Sequence, residues 1–550
     1  MAHPFSSSEI WFDGYGIGAA RDVWARFWLG GPGSPAVITP VAELNAGSSE
    51  LWRRFGATGL YLEPGDKKQI LQKIKPFSGD SYRFKIVNSL GWSLGYVTPT
   101  KVFGAPPCLT ERNFGDLDLR KYRVSGTLEQ WQDKVLPLCT GNSRPMFAII
   151  CAFVGPLLEI LEILGIGSFG FQLFGPSSIG KTIVLIVGGS VWGCRTGPSA
   201  HLGFLETWSS TLEGVQRYPL MHNDGFLLLD ETRLAGADRE LGKLVPTFIM
   251  RLAEGVGKNR LVPVSGGSSL PWGDWQLVYL GSSNLSLVEI FTAAGMDFDD
   301  AYRVRFPDIP ADVGCGYGVF EDIHGFENAA EFAKELHARA CTYFGAASEH
   351  YLERLAKDRH DRSAWLVSGL KLAMQRYRAM ASAGSAVDDR ISDNFAVVYA
   401  AGILARHYGI LPWTREQILW AVQTCQRAHH EFAARSAATF DPIAAVRAYI
   451  TANLPQFRRV PDPSITGQEF ASSPGFVRTN QRGATEYLIP AARFDREFAQ
   501  LNPQRVLRAL AAAGLLICSK TRHVSKAPIR SSATDGREYV YRIRGAILQT

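Results

Sequence analysis

Paired cysteines are missing from this sequence. Its 550 residues include eight cysteines, all single and far apart, so neither a zinc site with short Cys-x-x-Cys spacing nor a disulfide framework is predicted. The amino terminus also lacks a basic region followed by the apolar stretch of a secretory leader. These two absences predict a cytoplasmic protein whose thiols stay reduced.

Long apolar runs are scarce as well. The most apolar stretch, residues 146–166, is interrupted by Gly155, Pro156, Glu159 and Glu162, which predicts buried helices and no membrane span of about 20 residues. Hydrophobic residues make up 46% of the chain and charged residues 20%, values that exclude a disordered protein. A folded chain of this length is expected to form several domains.

The net charge of +6 is unevenly distributed. Residues 441–550 contain 16 lysines and arginines against 8 acidic residues, so residues 1–440 carry a net charge of −2. A basic segment attracts nucleic-acid phosphates. An ordinary solvated surface rich in arginine would give the same count, so charge alone leaves both interpretations open.

Local patterns predict the α/β fold class and four domains. Residues 1–125 mix short strands with glycine and proline turns, which predicts an α+β accessory domain. Residues 126–325 alternate strands with helices, as expected of a core with a parallel sheet between helices. Residues 326–436 have apolar positions at helical spacing and predict an all-α subdomain. Residues 437–550 predict a winged helix.

The predicted winged helix depends on a helix that begins at Asn502 and Pro503 and ends before Gly514. A helix over 443–454 and a proline-rich loop precede it, and strand 515–518, a basic loop and strand 537–543 follow. Such a helix and wing bind a DNA groove and its phosphates, although winged helices also contact proteins. The candidate DNA contacts here are Arg505, Arg508, Arg522 and Lys526.

A phosphate-binding signature lies at residues 175–182. It fits G-x-x-x-x-G-K-[ST] at every fixed position and follows an apolar strand predicted over 169–174. Its glycines let backbone N–H groups turn toward the phosphates of ATP at the positive end of the next helix. Lys181 then neutralises phosphate charge, and Thr182 is a ligand for Mg²⁺. The predicted ATP contacts are Gly175, Pro176, Ser177, Ser178, Ile179, Gly180, Lys181 and Thr182.

A second signature lies 49 residues beyond Lys181, where the apolar strand 225–230 ends in Asp230 and Glu231 follows. A buried strand delivers Asp230 to its carboxyl end, where the carboxylate can hold the water shell of Mg²⁺. Glu231 can then polarise a water that attacks the γ-phosphate. The two signatures together predict a P-loop ATPase with Lys181, Asp230 and Glu231 as catalytic residues and Thr182 and Asp230 as metal ligands.

Adjacent acids of this kind mark a large division of P-loop ATPases that usually carries a polar sensor at the tip of the next core strand. The predicted strand 276–280 leads into Gly281 and a polar turn. Asn284 is the preferred sensor and Ser283 the alternative, while a plain Asx turn remains open.

Two arginines follow the sensor region. An extended conformation over residues 302–306 would send Arg303 and Arg305 to the same face. One of them is a candidate arginine finger that reaches the γ-phosphate bound by a neighbouring subunit, and Arg305 is preferred. Ordinary surface salt bridges are the alternative interpretation.

A hairpin is predicted between the acids and the sensor strand, with its first strand over 261–264 and its tip over 265–274. It resembles the hairpin that hexameric helicases insert into their central pore. The tip contains no lysine or arginine, so DNA gripped there would need the cations of Lys258 or Arg260. A purely structural hairpin remains equally open.

Taken together, these blocks resemble the bacterial domain of unknown function 927 family, whose members look like AAA+ helicases of mobile elements, related in design to minichromosome-maintenance rings. The similarity extends from Gly91 to at least Trp413. The resemblance implies nucleotide contacts at Gly180, Lys181 and Thr182, and it also implies acids at Asp230 and Glu231, a finger at Arg305 and a second sensor at Arg390. The matching blocks are residues 154–158, 175–182, 190–193, 208–213, 229–231, 255–260, 304–305 and 308–310.

The chain departs from the family pattern at two places. Members usually carry good helix formers after the phosphate loop, whereas Gly188 and Gly189 stand here, and each would weaken a helix by up to about 1 kcal/mol. Members also tend to have Ser-Thr-Gly-Glu near the sensor strand, where residues 281–284 read Gly-Ser-Ser-Asn. The second departure leaves the identity of the sensor open.

The sequence thus predicts an ATP-hydrolysing DNA helicase or translocase that replicates a mobile element or a similar system. In the expected homohexameric ring, each ATP with its Mg²⁺ lies between Lys181, Asp230 and Glu231 of one subunit and an arginine of the next. Expected partners are DNA and a primase or other replication protein, with no membrane. The alternatives are an ATPase that loads or remodels another replication protein and a DNA-binding regulator with a vestigial phosphate loop.

Overall fold

The structure is a computed structural model, and it describes most of the chain between Glu9 and Gln549. Outside the described residues lie 1–8, 19–21, 32–33, 35, 47–48, 59, 61, 76–81, 88, 105–109, 113–118, 209–216, 231–237, 256–273, 295, 297, 381–385, 440, 499–500, 502, 518–524, 530–536 and 550.

The amino-terminal region forms a five-stranded sheet in the order β3-β2-β1-β4-β8 with three helices. Strands β1 to β3 are antiparallel, whereas β4 and β8 join the sheet in parallel. Leu51, Phe55 and Ile70 on the helices pack with Phe27 of the sheet in one apolar cluster. Its elements are β1 (Ile10–Gly18), β2 (Val23–Leu29), β3 (Ala36–Pro40), α1 (Val41–Ala46), α2 (Ser49–Gly56), α3 (Pro64–Gln72), β4 (Tyr82–Val87) and β8 (Thr110–Arg112).

A small antiparallel sheet, β5 (Gly91–Trp92), β6 (Tyr96–Val97) and β7 (Val102–Phe103), packs on the core of the chain. The backbone N–H of Trp92 donates to Asp224 Oδ2 at 2.8 Å, and Tyr96 Oη donates to the Asp224 carbonyl at 2.7 Å. A Cβ at Gly91 would lie 2.2 Å from Asp224 Oδ2, so only glycine fits this contact. The domain boundary proposed at residue 125 therefore divides residues that share one apolar cluster with the core.

The core is a five-stranded parallel sheet in the order β10-β11-β12-β9-β13. Its strands are buried on both faces, because Phe226 and Leu228 join one apolar cluster while Leu227 and Leu229 join another. The predicted strands 169–174 and 225–230 are confirmed. The bounds are β9 (Phe169–Phe174), β10 (Glu206–Thr207), β11 (Gly225–Asp230), β12 (Leu277–Ser283) and β13 (Asp308–Pro310).

Helices cover both faces of this sheet, as the α/β prediction required. Helices α6 and α8 lie against the face of Phe226 and Leu228, and α10 and α11 contribute to the cluster on the other face. The helices are α4 (Leu128–Lys134), α5 (Leu136–Cys139), α6 (Ser143–Cys151), α7 (Leu158–Leu161), α8 (Lys181–Gly189), α9 (Arg217–Met221), α10 (Asp238–Glu254), α11 (Leu287–Ala293) and α12 (Asp300–Arg305).

The apolar stretch is buried in the core from Ser143 to Leu158, which includes every residue of α6, whereas Ile163 near its end is 80% exposed. In the described part of the chain, no single helix combines the length and apolar composition needed to cross a bilayer. The pair Ser143–Cys151 and Gly155–Leu164 meets those criteria only when both segments are taken together across a bend of 43°.

The described residues between 329 and 439 are mostly helical, as their periodicity predicted. Phe332, Leu336, Ala340 and Phe344, which set that periodicity, are all buried. The longest helix, α17, packs on α6 and on the edge strand β13. The helices are α13 (Ala329–Ala340), α14 (Ala346–Asp361), α15 (Ser363–Met380), α16 (Ala386–His407) and α17 (Arg415–Thr439).

The carboxyl-terminal region is a five-stranded sheet in the order β14-β15-β16-β18-β17, with apolar clusters on both of its faces. One cluster joins the sheet to the helices through Val446, Phe494 and Leu507. The elements are α18 (Pro442–Asn453), β14 (Arg458–Arg459), α19 (Gly467–Ser472), β15 (Phe476–Thr479), β16 (Thr485–Pro490), α20 (Ala491–Glu497), α21 (Pro503–Ala512), β17 (Ser525–Pro528) and β18 (Arg537–Arg544).

The sequence prediction was wrong about several strands of this region. The supposed proline-rich loop contains β14, β15 and β16, and the supposed basic loop contains β17. In the described part of 515–518, Leu516 forms an isolated bridge with Ile543, flanked by the Ile517 N–H donating to the Arg542 carbonyl and the Arg544 N–H donating to the Leu515 carbonyl, both at 2.8 Å. These strands are short and rely on partners distant in the chain, such as β16 pairing with β18, so local periodicity did not reveal them.

Candidate functional site

The phosphate loop lies at the carboxyl end of β9, between β12 and β13 in the sheet, and leads into α8. Gly180 adopts a left-handed conformation with φ of 102°, and Ser178 has a positive φ of 65°, which is uncommon outside glycine. A Cβ at Gly180 would lie 2.8 Å from Val319 Cγ2. These turns direct the loop around the amino terminus of α8, where helix N–H groups favour an anion.

Lys181 is buried, and its ammonium group has three acceptors nearby. Lys181 Nζ donates to the carbonyl oxygens of Gly175 at 2.8 Å and Pro176 at 2.6 Å. It also donates to Asn284 Oδ1 at 3.0 Å. The lysine is therefore held at the mouth of the phosphate loop by the loop itself and by the residue that follows β12.

Thr182 and Asp230 meet across the sheet edge. Thr182 Oγ1 lies 3.3 Å from Asp230 Oδ1, and Ser282 Oγ donates to the same carboxylate oxygen. Mg²⁺ prefers a few protein oxygens and keeps several waters, with phosphate oxygens completing its shell. A threonine hydroxyl beside one carboxylate, at the edge of an anion cradle, fits that preference. Glu231, the predicted general base, lies outside the described residues.

A cavity of about 670 Å³ opens at this edge. One wall is residues 177–183 of the phosphate loop and α8, and the other is residues 316–320 with the start of α13. The Val319 N–H donates to the Ile179 carbonyl at 3.0 Å, and a Cβ at Gly318 would lie 2.4 Å from that same oxygen. The second wall is thus packed directly on the phosphate loop.

Asn284 and Ser283 occupy different environments. Strand β12 extends to Ser283, further than the predicted end at 280, because it pairs with β9 up to Phe174. Ser283 is consequently buried, and its Oγ accepts the Leu285 N–H at 3.1 Å. Asn284, the preferred sensor candidate, lies beyond the strand, lines the cavity and contacts Lys181.

The predicted extended segment 302–306 is wrong. Residues up to Arg305 form helix α12, because the Asp299 side chain caps its amino terminus by accepting the Ala301 N–H at 2.7 Å. Side chains two positions apart on a helix point in roughly opposite directions. Arg303 and Arg305 therefore do not share a face.

The two arginines have different partners. Arg303 Nη2 pairs with Asp300 Oδ1 at 2.9 Å. Arg305 Nη1 donates to the Ala301 carbonyl at 2.9 Å, and no acidic group within ion-pair distance is found among the described residues. Neither lines the phosphate-loop cavity of its own chain.

Of the remaining predicted site residues, those that the structure describes do not line the phosphate-loop cavity. Arg390 is exposed on α16 and is not part of the cavity wall. On α21, Arg508 is exposed, whereas Arg505 is partly buried at a junction with the core. Lys258, Arg260 and Arg522 lie outside the described residues, as do the predicted hairpin strand 261–264 and most of its tip, and the side chain of Lys526 is not described.

Sequence reasoning missed Ser282 and the second wall of the cavity. Ser282 is a polar residue at the end of an apolar strand. That pattern is visible in the sequence, but the sensor role was assigned to the neighbouring Ser283 and Asn284. Tyr317, exposed by 40%, lines the cavity between two glycines. Glycine-flanked loops carry no chemical signature, so only the fold reveals that this loop faces residues 177–182.

The fold and the site define an α/β protein with a parallel sheet flanked by helices and a phosphate loop at the sheet's carboxyl edge. Residues 35–262 match the model of the family described as domain of unknown function (DUF927). This match agrees with the resemblance found in the sequence motifs. The match begins before the Gly91 motif and ends at residue 262, short of Trp413.

The fold also resembles a solved structure named "SCCmec type IV Cch - active helicase". The TM-score is 0.63 at 15% sequence identity, and the match covers 98% of this chain and 95% of that chain. At this identity the likeness concerns the fold. No curated protein matches the chain.

Proposed function

We propose that the chain is an ATP-hydrolysing motor of the AAA+ type that acts on DNA as a helicase or translocase of a mobile element. The observation that carries this proposal is the convergence of Lys181, Thr182, Asp230 and Asn284 at one edge of a parallel sheet. These residues come from the ends of three strands that lie side by side in the sheet.

The arrangement suits phosphoryl transfer to water. Lys181 and the α8 amino terminus bind the phosphates. Thr182 and Asp230 would hold Mg²⁺, which would supply positive charge to neutralise the phosphates. Glu231, the residue after Asp230, accepts a proton from the attacking water. Asn284 orients that water from the end of β12. Tyr317 lies on the opposite wall of the cavity, where its ring can cover the adenine base of ATP.

The AAA+ assignment is supported by the strand order. Numbered along the chain, the core strands are arranged 2-3-4-1-5, so one strand separates the phosphate-loop strand from the strand that ends in Asp230. Asn284 follows that intervening strand. The proposed ring, a homohexamer, is supported by Arg305, which lies on α12 outside the cavity of its own chain and can complete a neighbour's site.

The proposal of DNA as the substrate has two supports. The first is the likeness over 98% of the chain to a structure named as a helicase, which is an analogy of fold. The second is the surplus of positive charge in residues 441–550, where Arg508 is exposed on the amphipathic helix α21. We propose that this region is a winged helix that contacts DNA phosphates.

The decisive experiment measures ATP hydrolysis with and without DNA, together with particle size in the presence of a non-hydrolysable ATP analogue. Wild type is expected to form a ring and to hydrolyse ATP faster with DNA. Lys181→Ala is expected to lose nucleotide binding, whereas Glu231→Gln is expected to bind ATP and form rings without turnover. Unchanged turnover in Glu231→Gln would remove that residue from the mechanism.

A strand-displacement assay with the same proteins separates the proposed motor from an ATPase that loads or remodels another protein. DNA-stimulated turnover with displacement supports the helicase, and the same turnover without displacement supports the loader. Absence of any nucleotide binding in the folded wild type would overturn both and leave a DNA-binding regulator.

A further inference from the structure

A second cavity, of about 310 Å³, lies where the core meets α17 and the carboxyl-terminal helices. Its walls come from α12, β13, α17, the start of α18 and α21, and it shares no described lining residue with the phosphate-loop cavity. We call it the junction cavity and define it by Phe298, Arg303, Phe306, His429, Phe432 and Ala433.

His429 presents a hydrogen-bond acceptor to the junction cavity. The residue is 1% exposed, and its Nδ1 lies 2.7 Å from the Asp308 carbonyl oxygen. A carbonyl only accepts, so Nδ1 carries the proton. Burial lowers the pKa of His429 to about 4, which keeps the ring neutral. Nε2 is therefore an acceptor, and it is buried with no hydrogen-bond partner among the described residues.

Arg303 presents a matching donor. Its Nη2 is bound to Asp300, but its Nε–H is buried and lacks a partner in the part of the chain that the structure describes. A buried polar group without a partner costs about 1–3 kcal/mol. A donor and an acceptor that both lack partners on the wall of one cavity indicate a ligand that carries the complementary pair.

The rest of the wall defines the ligand's body and charge. Phe298, Phe306 and Phe432 provide aromatic surface, which suits a planar ring. The lining arginines, Arg303 and Arg505, are matched by two exposed acids, Asp300 and Asp441. The third acid on the wall, Asp308, is buried, and burial, opposed by hydrogen bonds from the Leu287 N–H and Gln172, raises its pKa to about 8, so this carboxyl is neutral at pH 7. The buried imidazole is neutral, so the balance favours an uncharged ligand.

We propose that the junction cavity binds a nucleobase. An N–H of the base donates to His429 Nε2, a neighbouring ring nitrogen or carbonyl accepts from Arg303 Nε, and the ring packs against the phenylalanines. The volume is near the lower limit of about 300 Å³ for ligand pockets, which suits a single base. The bound base belongs either to a free base or nucleoside or to an unstacked nucleotide of a DNA strand.

The junction cavity also contacts the strand that precedes the phosphate loop. The Phe432 ring lies 4.5 Å from the ring of Phe174, measured between centroids, and Phe174 is followed directly by Gly175. A binding test must therefore separate the two cavities. Ala433, on the same helix as Phe432, lines only the junction cavity.

The test titrates the full-length protein with adenine and with cytosine and measures binding by calorimetry. Ala433→Phe fills the junction cavity and is expected to abolish base binding, whereas Ala434→Phe, on the exposed side of the same helix, is expected to bind as wild type does. Indole, which has a donor but no acceptor, is expected to bind at least about tenfold more weakly.

Two further variants test the polar edge. His429→Phe keeps an aromatic ring and removes the acceptor, and Arg303→Lys keeps the charge and removes the Nε–H. Both are expected to weaken adenine binding by about tenfold. Circular dichroism reports whether each variant folds. If Ala433→Phe does not fold, these two variants still test whether the junction cavity binds a base. Base binding that persists unchanged in the folded variants, or no base binding by wild type, would overturn the proposal.

The source of the base is decided with single-stranded DNA. If Ala433→Phe weakens DNA binding as well as adenine binding, the base belongs to a strand. If it abolishes adenine binding alone, the base is a free compound. These results are independent of ATP hydrolysis, so a failure of the proposed motor function would leave them interpretable.

Discussion

Lys181 Nζ lies 3.0 Å from Asn284 Oδ1, although the two residues are 103 positions apart in the chain. The contact exists because β9 and β12 are neighbours in a parallel sheet, whose strands all end at the same edge. The polar group that follows β12 is thereby placed at the phosphate loop.

This contact leads to a prediction about the sensor. Asn284→Ala is expected to reduce kcat about 10- to 100-fold, because in the proposed mechanism the amide would orient both Lys181 and the attacking water. Ser283→Ala removes an acceptor for the Leu285 N–H, so it is expected to lower stability by about 1 kcal/mol and to retain turnover. Steady-state ATPase kinetics and thermal unfolding measure the two effects. The opposite pattern would transfer the sensor role to Ser283.

A second prediction concerns the arginine finger. Arg305→Ala is expected to retain nucleotide binding and to lose about 10³-fold in kcat, because Arg305 would stabilise the transition state in a neighbouring subunit. Mixing Arg305→Ala with Lys181→Ala subunits creates some interfaces with an intact lysine from one chain and an intact arginine from the other. Activity should therefore reappear on mixing, and a mixture as inactive as its components would argue against a finger in trans.

A third prediction concerns the glycines at the end of α8. A Cβ at Gly189 would lie 2.7 Å from Phe204 Cβ and 3.0 Å from a methyl group of Leu228. Gly189→Ala is therefore expected to destabilise the protein by about 1–3 kcal/mol through overpacking, despite alanine's better helix propensity. Gly369, inside α15, has open space around its Cβ position.

Gly369→Ala is the matched control for that substitution. It is expected to raise stability by up to about 1 kcal/mol, because alanine favours a helix and here meets no neighbour. Thermal unfolding of both variants measures the difference. Equal effects at the two positions would show that packing does not require Gly189.

A fourth prediction concerns Asp224, which holds the Trp92 backbone. Burial, opposed by the Trp92 hydrogen bond and with smaller effects of Glu159 and Arg359, raises its pKa to about 7. The folded state thus binds this proton more tightly than the unfolded state does. This proton therefore adds to the free energy of unfolding below a pH of about 4. The contribution, about 4 kcal/mol at most, is lost as the pH rises to about 7.

Asp224→Asn keeps an acceptor for the Trp92 N–H and cannot ionise. It is expected to unfold near the wild-type temperature at pH 4 and above it at pH 8. Asp133→Asn, on the exposed side of α4, is the control and is expected to follow wild type at both values. If the unfolding temperatures of Asp224→Asn and wild type differ by the same amount at pH 4 and pH 8, Asp224 does not titrate in this range.

Part of the fold was predictable because its signals are local. Strand 169–174 is a continuous apolar run followed by a turn signature, and helices after residue 328 repeat apolar positions every three or four residues. The segment ending at Arg305 was mispredicted because a capping aspartate outweighed a short alternating pattern. From the sequence, Gly188 and Gly189 were expected only to weaken the helix. In the structure they allow α8 to approach Ala148 and Phe204.

The sequence by itself determined the phosphate loop, the acid-ended strand and the helical character of the third region, because each depends on residues within a few positions of one another. Only the tertiary structure decided that Asn284 contacts Lys181, that residues 316–320 form the second wall and that His429 and Arg303 line one cavity. Those relationships follow from the order of strands in the sheet and from the packing of α17 on β13, which join residues that are distant in the chain.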